Sequence, residues 1–409
     1  MKQNLSKQNN KSIFLKRWRY VLLGIIIMMC LGTVYSYSVF RLSIEKIFNV
    51  GATQSGMPYM TALAVYALFM LLTGRYLDKF NPRSIITLGG LLVSLGWILS
   101  AYAPNIYVLT ITYGVISGAG VGIVYGVPMT IVARWFPEKK GLAVGMVLMG
   151  FGLSPLITAP LARIFVEYYG TMNTFLILGI CFGVIILILS YLFKYPSEVE
   201  QLSLKSVKQV KNSLYELNTL SMIKSKSFIG LYINFIIATT IGLMLIGLTS
   251  SIGIELIGLS QKKVALLMGL FAIFNGVGRP IFGWLVDKFS SKKAILFSYG
   301  LIISSAILIL FANEGNVIMY SISFSIFWFN LGGWLAIAPT STLALYGTKH
   351  YSQNYGVVFT AYGIGAITGV TTSGMLIDVH RNYDYVFYYV IALCLLGILL
   401  TSNLLVTSD

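Results

Sequence analysis

The sequence predicts an all-α membrane protein, with twelve transmembrane helices in two six-helix pseudo-repeats. Three observations carry this. Of 409 residues, 57% are hydrophobic and only 10% charged, against about 25% charged in soluble domains; mean hydropathy is +0.81. Apolar runs long enough to cross a hydrocarbon core of about 30 Å as helices recur along the chain, and they lack the alternation of barrel strands. The two halves also repeat short charged motifs at matching places.

Residues 1–19 are polar and basic, and are read as a disordered cytoplasmic tail. They are not read as a cleaved leader, because the apolar run that follows is a full span and no small-x-small site ends it. Runs centred near residues 30, 67, 93, 119, 154 and 182 fill an amino-terminal bundle, 20–193. The longest polar interruption, 194–226, is read as a cytoplasmic linker; Val207, Val210, Leu214 and Leu217 fall at helical spacing within it, as a surface helix would place them. Runs centred near 238, 275, 303, 329, 366 and 395 fill a carboxy-terminal bundle, 227–406.

The net charge of +16 invites a nucleic-acid reading, but its distribution argues for membrane topology. Twenty-two of the 29 basic residues fall in the tail, the linker and the turns between runs 2–3, 4–5, 8–9 and 10–11. Six fall in the opposite loops: Arg41, Lys46, Arg163, Lys262, Lys263 and Arg381. By the positive-inside rule both termini and the linker face the cytoplasm of a cell membrane, and the basic excess meets anionic lipid. Arg279 alone is left inside a run. The 13 acids lie in loops, tails or helix ends. Cys30, Cys181 and Cys394 sit in apolar runs as small hydrophobes, without zinc or redox spacing, and neither a cofactor nor a metal is expected.

"GRYLDKFNPRS" from Gly74 and "GWLVDKFSSKK" from Gly283 repeat a Gly-x-x-x-Asp-Lys-Phe turn 209 positions apart, the trace of a duplicated transporter fold. With six plus six spans, this turn resembles the major facilitator superfamily. "GVGIVYGVPMTIVARWFPEKKGLAVG" (120–145), "DKFNPR" (78–83) and "NGVGRPIFGWLVDK" (275–288) resemble its oxalate/formate antiporter and monocarboxylate porter branch. One departure is Asn81, where the turn usually has Gly. Asp78 and Asp287, at helix ends, suit a gating latch with a neighbouring helix N-terminus and with Arg83 or Lys292.

Arg279 lies about 10 Å from its cytoplasmic helix end at 1.5 Å per residue. A central arginine costs roughly 2.5–3.5 kcal/mol on insertion scales, and Pro280, Gly276, Gly278 and Gly283 around it suit a helix lining a cavity. A guanidinium fork matches a carboxylate, and Asn275 stands one turn before it on the same face. Tyr125, Trp328, Tyr362 and Tyr35 are candidate walls of a small-anion pocket. Asn234 and Asn330 are read as interhelical hydrogen-bonding residues. In the resembled branch the matching arginine binds the substrate carboxylate.

That resemblance also shapes the cargo. Dicarboxylate exchangers of the branch carry a lysine in the eleventh helix, where this chain has Tyr362; one fixed cation balances one carboxylate, so a monocarboxylate such as lactate, formate or pyruvate is expected, and oxalate/formate-type exchange is the alternative. Proton-coupled members carry an Asp where this chain has Asn275, which leaves open whether a proton or a counter-anion is co-transported. The lipid bilayer and a small carboxylate are thus the expected partners of a monomer, with no nucleic acid. An enzyme is not expected, since His350 and His380 are peripheral; a non-transporting membrane sensor is the other class weighed.

Overall fold

The computed structural model describes residues 2–74, 76, 80–136, 140–196, 216–347 and 350–404. Twelve long helices are present among them: α1 (Lys2–Leu31), α2 (Ala52–Gly74), α3 (Pro82–Ser100), α4 (Ile106–Trp135), α5 (Lys140–Tyr169), α6 (Thr171–Ser190), α7 (Lys226–Leu256), α8 (Gln261–Phe289), α9 (Ser291–Leu310), α10 (Val317–Tyr346), α11 (Tyr351–His380) and α12 (Asp384–Leu404). Eleven spans among the described residues are long and apolar enough to cross a bilayer, the first of them, Arg17–Ser36, running from α1 into the turn that follows it. The twelfth, α11, is as long at 30 residues, but Thr, Ser and Gly dilute its hydropathy.

Side chains that start and stop helices account for several boundaries. Asn81, Asn105, Ser225 and Ser260 each accept a backbone N–H of the first turn, satisfying donors that a helix start leaves orphaned. Gly170 turns α5 into α6 at φ 79°, a region that costs an L side chain more than it costs glycine.

Two expectations are corrected. The first nineteen residues are not a tail without structure: α1 is helical from Lys2. No Pro or Gly precedes Gly24, so nothing in the local sequence stops a helix already nucleated by the apolar run. Arg41 is not a loop residue. After α1 a 3-10 turn, Gly32–Ser36, leads into a further helix, Ser38–Phe48, and Arg41 on it is 2% exposed. Arg279 is therefore not the one basic residue withdrawn from solvent.

The termini of the bundle and residues 194–196 and 216–226 gather at one end, called here the linker end. Most of the linker, including Val207, Val210 and Leu214, lies outside the described residues. Its last part is anchored to the carboxy-terminal half: Leu217 N–H donates to the Tyr346 carbonyl at 3.0 Å, and Asn354 Nδ2 donates to the Leu217 carbonyl at 3.0 Å.

Each group of six helices packs on itself, as α2 on α4 and α3 on α6 in the first, and α8 on α10 and α9 on α12 in the second. Between the groups, α2 packs along α11 and α5 along α8. Advancing each helix number by six, cyclically, exchanges these two pairs, as a two-fold relation between duplicated halves requires. Asn234 and Asn330 do tie helices together: Asn234 Oδ1 on α7 accepts from Tyr299 Oη (2.9 Å) on α9 and Thr401 Oγ1 (3.0 Å) on α12, and Asn330 Oδ1 on α10 accepts from Ser298 Oγ (2.7 Å) on α9.

Candidate anion site between the two halves

Helix α8 sets the site. Asn275 and Arg279 are four residues apart, so they share one face, and that face meets α5 of the other half. Arg279 is 4% exposed. Its Nη1 donates to the Leu148 carbonyl on α5 at 2.6 Å, and its Nη2 reaches Asn275 Oδ1 at 3.4 Å. Nε is buried without a partner. Among the described residues no acidic side chain pairs with this guanidinium, so its charge is solvated only by neutral oxygens.

Glycine makes the approach possible. A Cβ on Gly152 would stand 2.6 Å from Asn275 Oδ1 and 3.2 Å from Arg279 Nη2, so the α5 backbone sits against the polar face of α8 only because position 152 has no side chain. On the other flank, a Cβ on Gly332 of α10 would overlap the Asn275 carbonyl. That contact brings Trp328 within reach: Asn275 Nδ2 donates to the Trp328 carbonyl at 3.0 Å, and Trp328 Nε1 donates to Thr249 Oγ1 at 3.2 Å.

Aromatic rings close the chamber. Tyr35 Oη and Tyr362 Oη are 2.9 Å apart, a hydrogen bond between the two halves. The Tyr35 ring stands edge-on to Phe151 and Trp328 at 5.2 and 6.4 Å, geometries that suit ring quadrupoles. Tyr125 packs on Tyr66 (5.0 Å) and Phe151 (5.4 Å), and its hydroxyl interacts with Arg279 and Tyr66. The structure thus gathers Arg279, Asn275, Tyr125, Trp328, Tyr362 and Tyr35 into one buried region. Sequence reasoning missed Tyr66, Phe151, Gly152, the Leu148 carbonyl and Phe359, whose ring packs on Tyr66, Tyr125 and Tyr362. Nothing marks Tyr66 among 26 tyrosines, and a backbone oxygen has no sequence signal.

Arg279, Asn275, Tyr35, Tyr125, Trp328 and Tyr362 are each at most 4% exposed in this conformation. A cavity of about 10 Å³, room for about one water, lies inside the amino-terminal half among Cys30, Trp97 and Tyr113. What the arrangement offers chemically is anion recognition: a buried fork with unused donors, faced by hydroxyls and rings.

Among the described residues, Arg83, Asp287 and Lys292 are not paired with one another. Asp78 lies outside the described residues. Arg83 Nε points to the Phe193 carbonyl at 3.4 Å, past the end of α6. Asp287 is exposed at the end of α8, and Lys292 Nζ donates to the Ser402 carbonyl of α12 at 3.2 Å.

The Major Facilitator Superfamily profile matches residues 21–353 and 255–409. The chain is 28% identical to the Oxalate:formate antiporter of Oxalobacter formigenes over 357 residues, 86% of this chain and 83% of that protein. It is 27% identical to Monocarboxylate transporter 12 of Xenopus laevis, covering 77% and 72%. Among solved structures, a bacterial homologue of the human lysosomal transporter Spinster, inward-facing and occupied, superposes with a TM-score of 0.74 over 95% of this chain and 97% of that one at 14% identity, a likeness of fold alone.

Proposed function

The chain belongs to the Major Facilitator Superfamily, whose members are multi-pass membrane transporters, and from that premise we propose that it carries small organic anions, monocarboxylates foremost, by alternating access with the carboxylate held by Arg279. The linker end faces the cytoplasm of the cell membrane in this reading, as the basic excess there favours.

One observation carries the proposal. Arg279 is withdrawn from solvent at the seam between the halves with, among the described residues, no acid beside it, one donor unpartnered, and neutral oxygens alone around the others. An unneutralised cation is costly there, and a cargo carboxylate accepting a bidentate pair of N–H bonds supplies the missing partner. Asn275 and the hydroxyls of Tyr125, Tyr35 and Tyr362 then orient the rest of the cargo.

The single cation selects the charge of the cargo. Where a second basic residue would stand, Tyr362 donates to or accepts from Tyr35 and adds no charge. Arg41, the other buried arginine among the described residues, has its donors committed to Ser55, Gly247 and Ala52. A monoanion is balanced by Arg279; a dianion leaves one charge uncompensated. Exchange of oxalate for formate is the competing reading, favoured by the name of one relative.

A counterflow panel in proteoliposomes tests this. Lactate, formate, pyruvate and oxalate are each loaded inside against labelled cargo outside, with and without a pH gradient. Monocarboxylates exchange and Arg279→Ala abolishes the exchange while the protein still inserts. Preference for oxalate over every monocarboxylate, or normal flux through Arg279→Ala, overturns the assignment.

A further inference from the structure

A second polar assembly joins the two halves at the end of the bundle far from the linker. Its centre is Arg41. Nε donates to Ser55 Oγ (3.1 Å), Nη2 to the Ala52 carbonyl (2.6 Å), and Nη1 crosses to the Gly247 carbonyl of α7 (3.1 Å). A few residues away, the carboxylate of Asp378 on α11 caps the start of α2 in the opposite half. Ala52 N–H donates to Oδ1 at 2.8 Å, and Thr53 N–H and Oγ1 donate to Oδ2 at 2.9 and 2.5 Å. An anion at a helix N-terminus is favourable by hydrogen bonding and by dipole together. The α2 start has no acid of its own in its first turn, so this cap comes from the other half. Tyr59 Oη adds a donation to the Leu243 carbonyl at 3.3 Å. The bonds of Arg41 to Gly247, of Tyr59 to Leu243 and of Asp378 to Ala52 and Thr53 cross between the halves and hold only while these touch at this end.

Glu45 sits inside the assembly. Ser55 Oγ donates to its Oε1 at 2.6 Å, and Arg41 Nε is 3.6 Å away. Glu255 on α7, Asp378 on α11 and Tyr383 in the turn before α12 face it with Arg41.

We infer that Arg41 and Asp378 form the far-end latch of alternating access, and that Glu45 makes the latch answer to pH on that side of the membrane. Opening to the far side must break the Asp378 cap and the Arg41–Gly247 bond together, leaving a guanidinium and a carboxylate to be rehydrated. In the closed state burial pushes the Glu45 carboxyl above its ordinary value of 4.5, against the hydrogen bond from Ser55 and the charge of Arg41, with Glu255 and Asp378 adding to the rise. Opening returns Glu45 to water with Ser55 and Arg41 of its own half still beside it, so its carboxyl falls back from the raised value. The closed latch therefore holds the proton more tightly than the open one. Its added stability is fully present below the ordinary value and is lost as pH rises through the raised one. Acid on the far side keeps the latch shut. The proton enters and leaves on the same side, so it regulates access and does not drive accumulation.

The inference rests on the transporter reading but needs no cargo, so its test can fail independently of the carboxylate assignment. Ser250 is buried, with its Oγ 3.4 Å from Ser38 Oγ of the other half. Ser250→Cys, in a chain whose Cys30, Cys181 and Cys394 are serine, is exposed to a membrane-impermeant maleimide from the far side. The exposed turn residue Tyr102, as Tyr102→Cys, supplies the reference rate that corrects for thiol ionisation; Ser38→Cys replaces the reporter should Ser250→Cys not insert. The relative rate at 250 falls as the medium is acidified from about pH 8 toward the ordinary carboxyl value of 4.5. Asp378→Asn raises it about tenfold or more, the effect of about 1.4 kcal/mol. Glu45→Gln leaves it low at both pH values. Equal labelling of parent and Asp378→Asn overturns the latch, and a pH response that survives Glu45→Gln overturns the switch.

Discussion

Replacing Arg279 with methionine distinguishes an arginine kept for cargo from one kept for structure, because the two roles move stability in opposite directions. An arginine at membrane depth costs roughly 2.5–3.5 kcal/mol. In the empty protein it recovers one short charged donation, Nη1 to Leu148 at 2.6 Å, worth about 1.5–3 kcal/mol. The 3.4 Å contact to Asn275 is too long to add much, and Nε recovers nothing. The difference predicts that Arg279→Met leaves the empty protein as stable as the parent or more stable by up to about 2 kcal/mol. Cargo binding moves the other way. Removing one partner of a buried ion pair costs about 3–5 kcal/mol, a loss of roughly two to four powers of ten in affinity. Denaturation of the purified empty protein, alongside the half-saturation of uptake into proteoliposomes, reads both. A protein destabilised by 3 kcal/mol or more that still takes up its cargo would refute the reasoning and make Arg279 a structural tie between α8 and α5.

Tyr362→Lys places a second cation beside Tyr35 in the same chamber, and counterflow of oxalate is expected to appear or rise relative to lactate; unchanged selectivity speaks against charge matching as the filter. Asn234→Ala removes the acceptor of Tyr299 and Thr401 far from the chamber. Both hydroxyls keep a backbone carbonyl, Tyr299 that of residue 234 and Thr401 that of Gly397, so the cost is that of two lost bonds at about 0.5–1.5 kcal/mol each, seen as a lower unfolding midpoint with the half-saturation for cargo unchanged.

Much of the fold was legible because bilayer thickness dictates run length and duplication leaves repeated turns. Helix α11 was harder by composition: its Thr, Ser and Gly serve contacts with α2 and α7, such as Gly374 against Thr53, and packing rather than apolarity holds it in place. Arg279 could be singled out because a cation in an apolar run has few innocent explanations. Arg41 was misassigned because the first run ends near residue 40 in hydropathy while the chain continues as helix through a tight 3-10 turn. The i,i+4 pair Arg41–Glu45 was the available signal for that extension. The walls of the chamber were only half legible. Tyr35 and Tyr362 lie 327 positions apart and meet because α11 packs on the other half, and no local pattern encodes such a meeting. The Leu148 carbonyl became a partner because Gly152 lets α5 approach.

Equilibrium binding of a labelled monocarboxylate to the purified protein asks most directly whether the cargo neutralises Arg279. The parent is expected to show one saturable site per chain, and Arg279→Ala, correctly folded by its unfolding midpoint, no saturation at concentrations two powers of ten higher, the lower bound for a lost buried pair of about 3 kcal/mol. Equal binding by the two proteins would contradict the assignment of the carboxylate to that guanidinium.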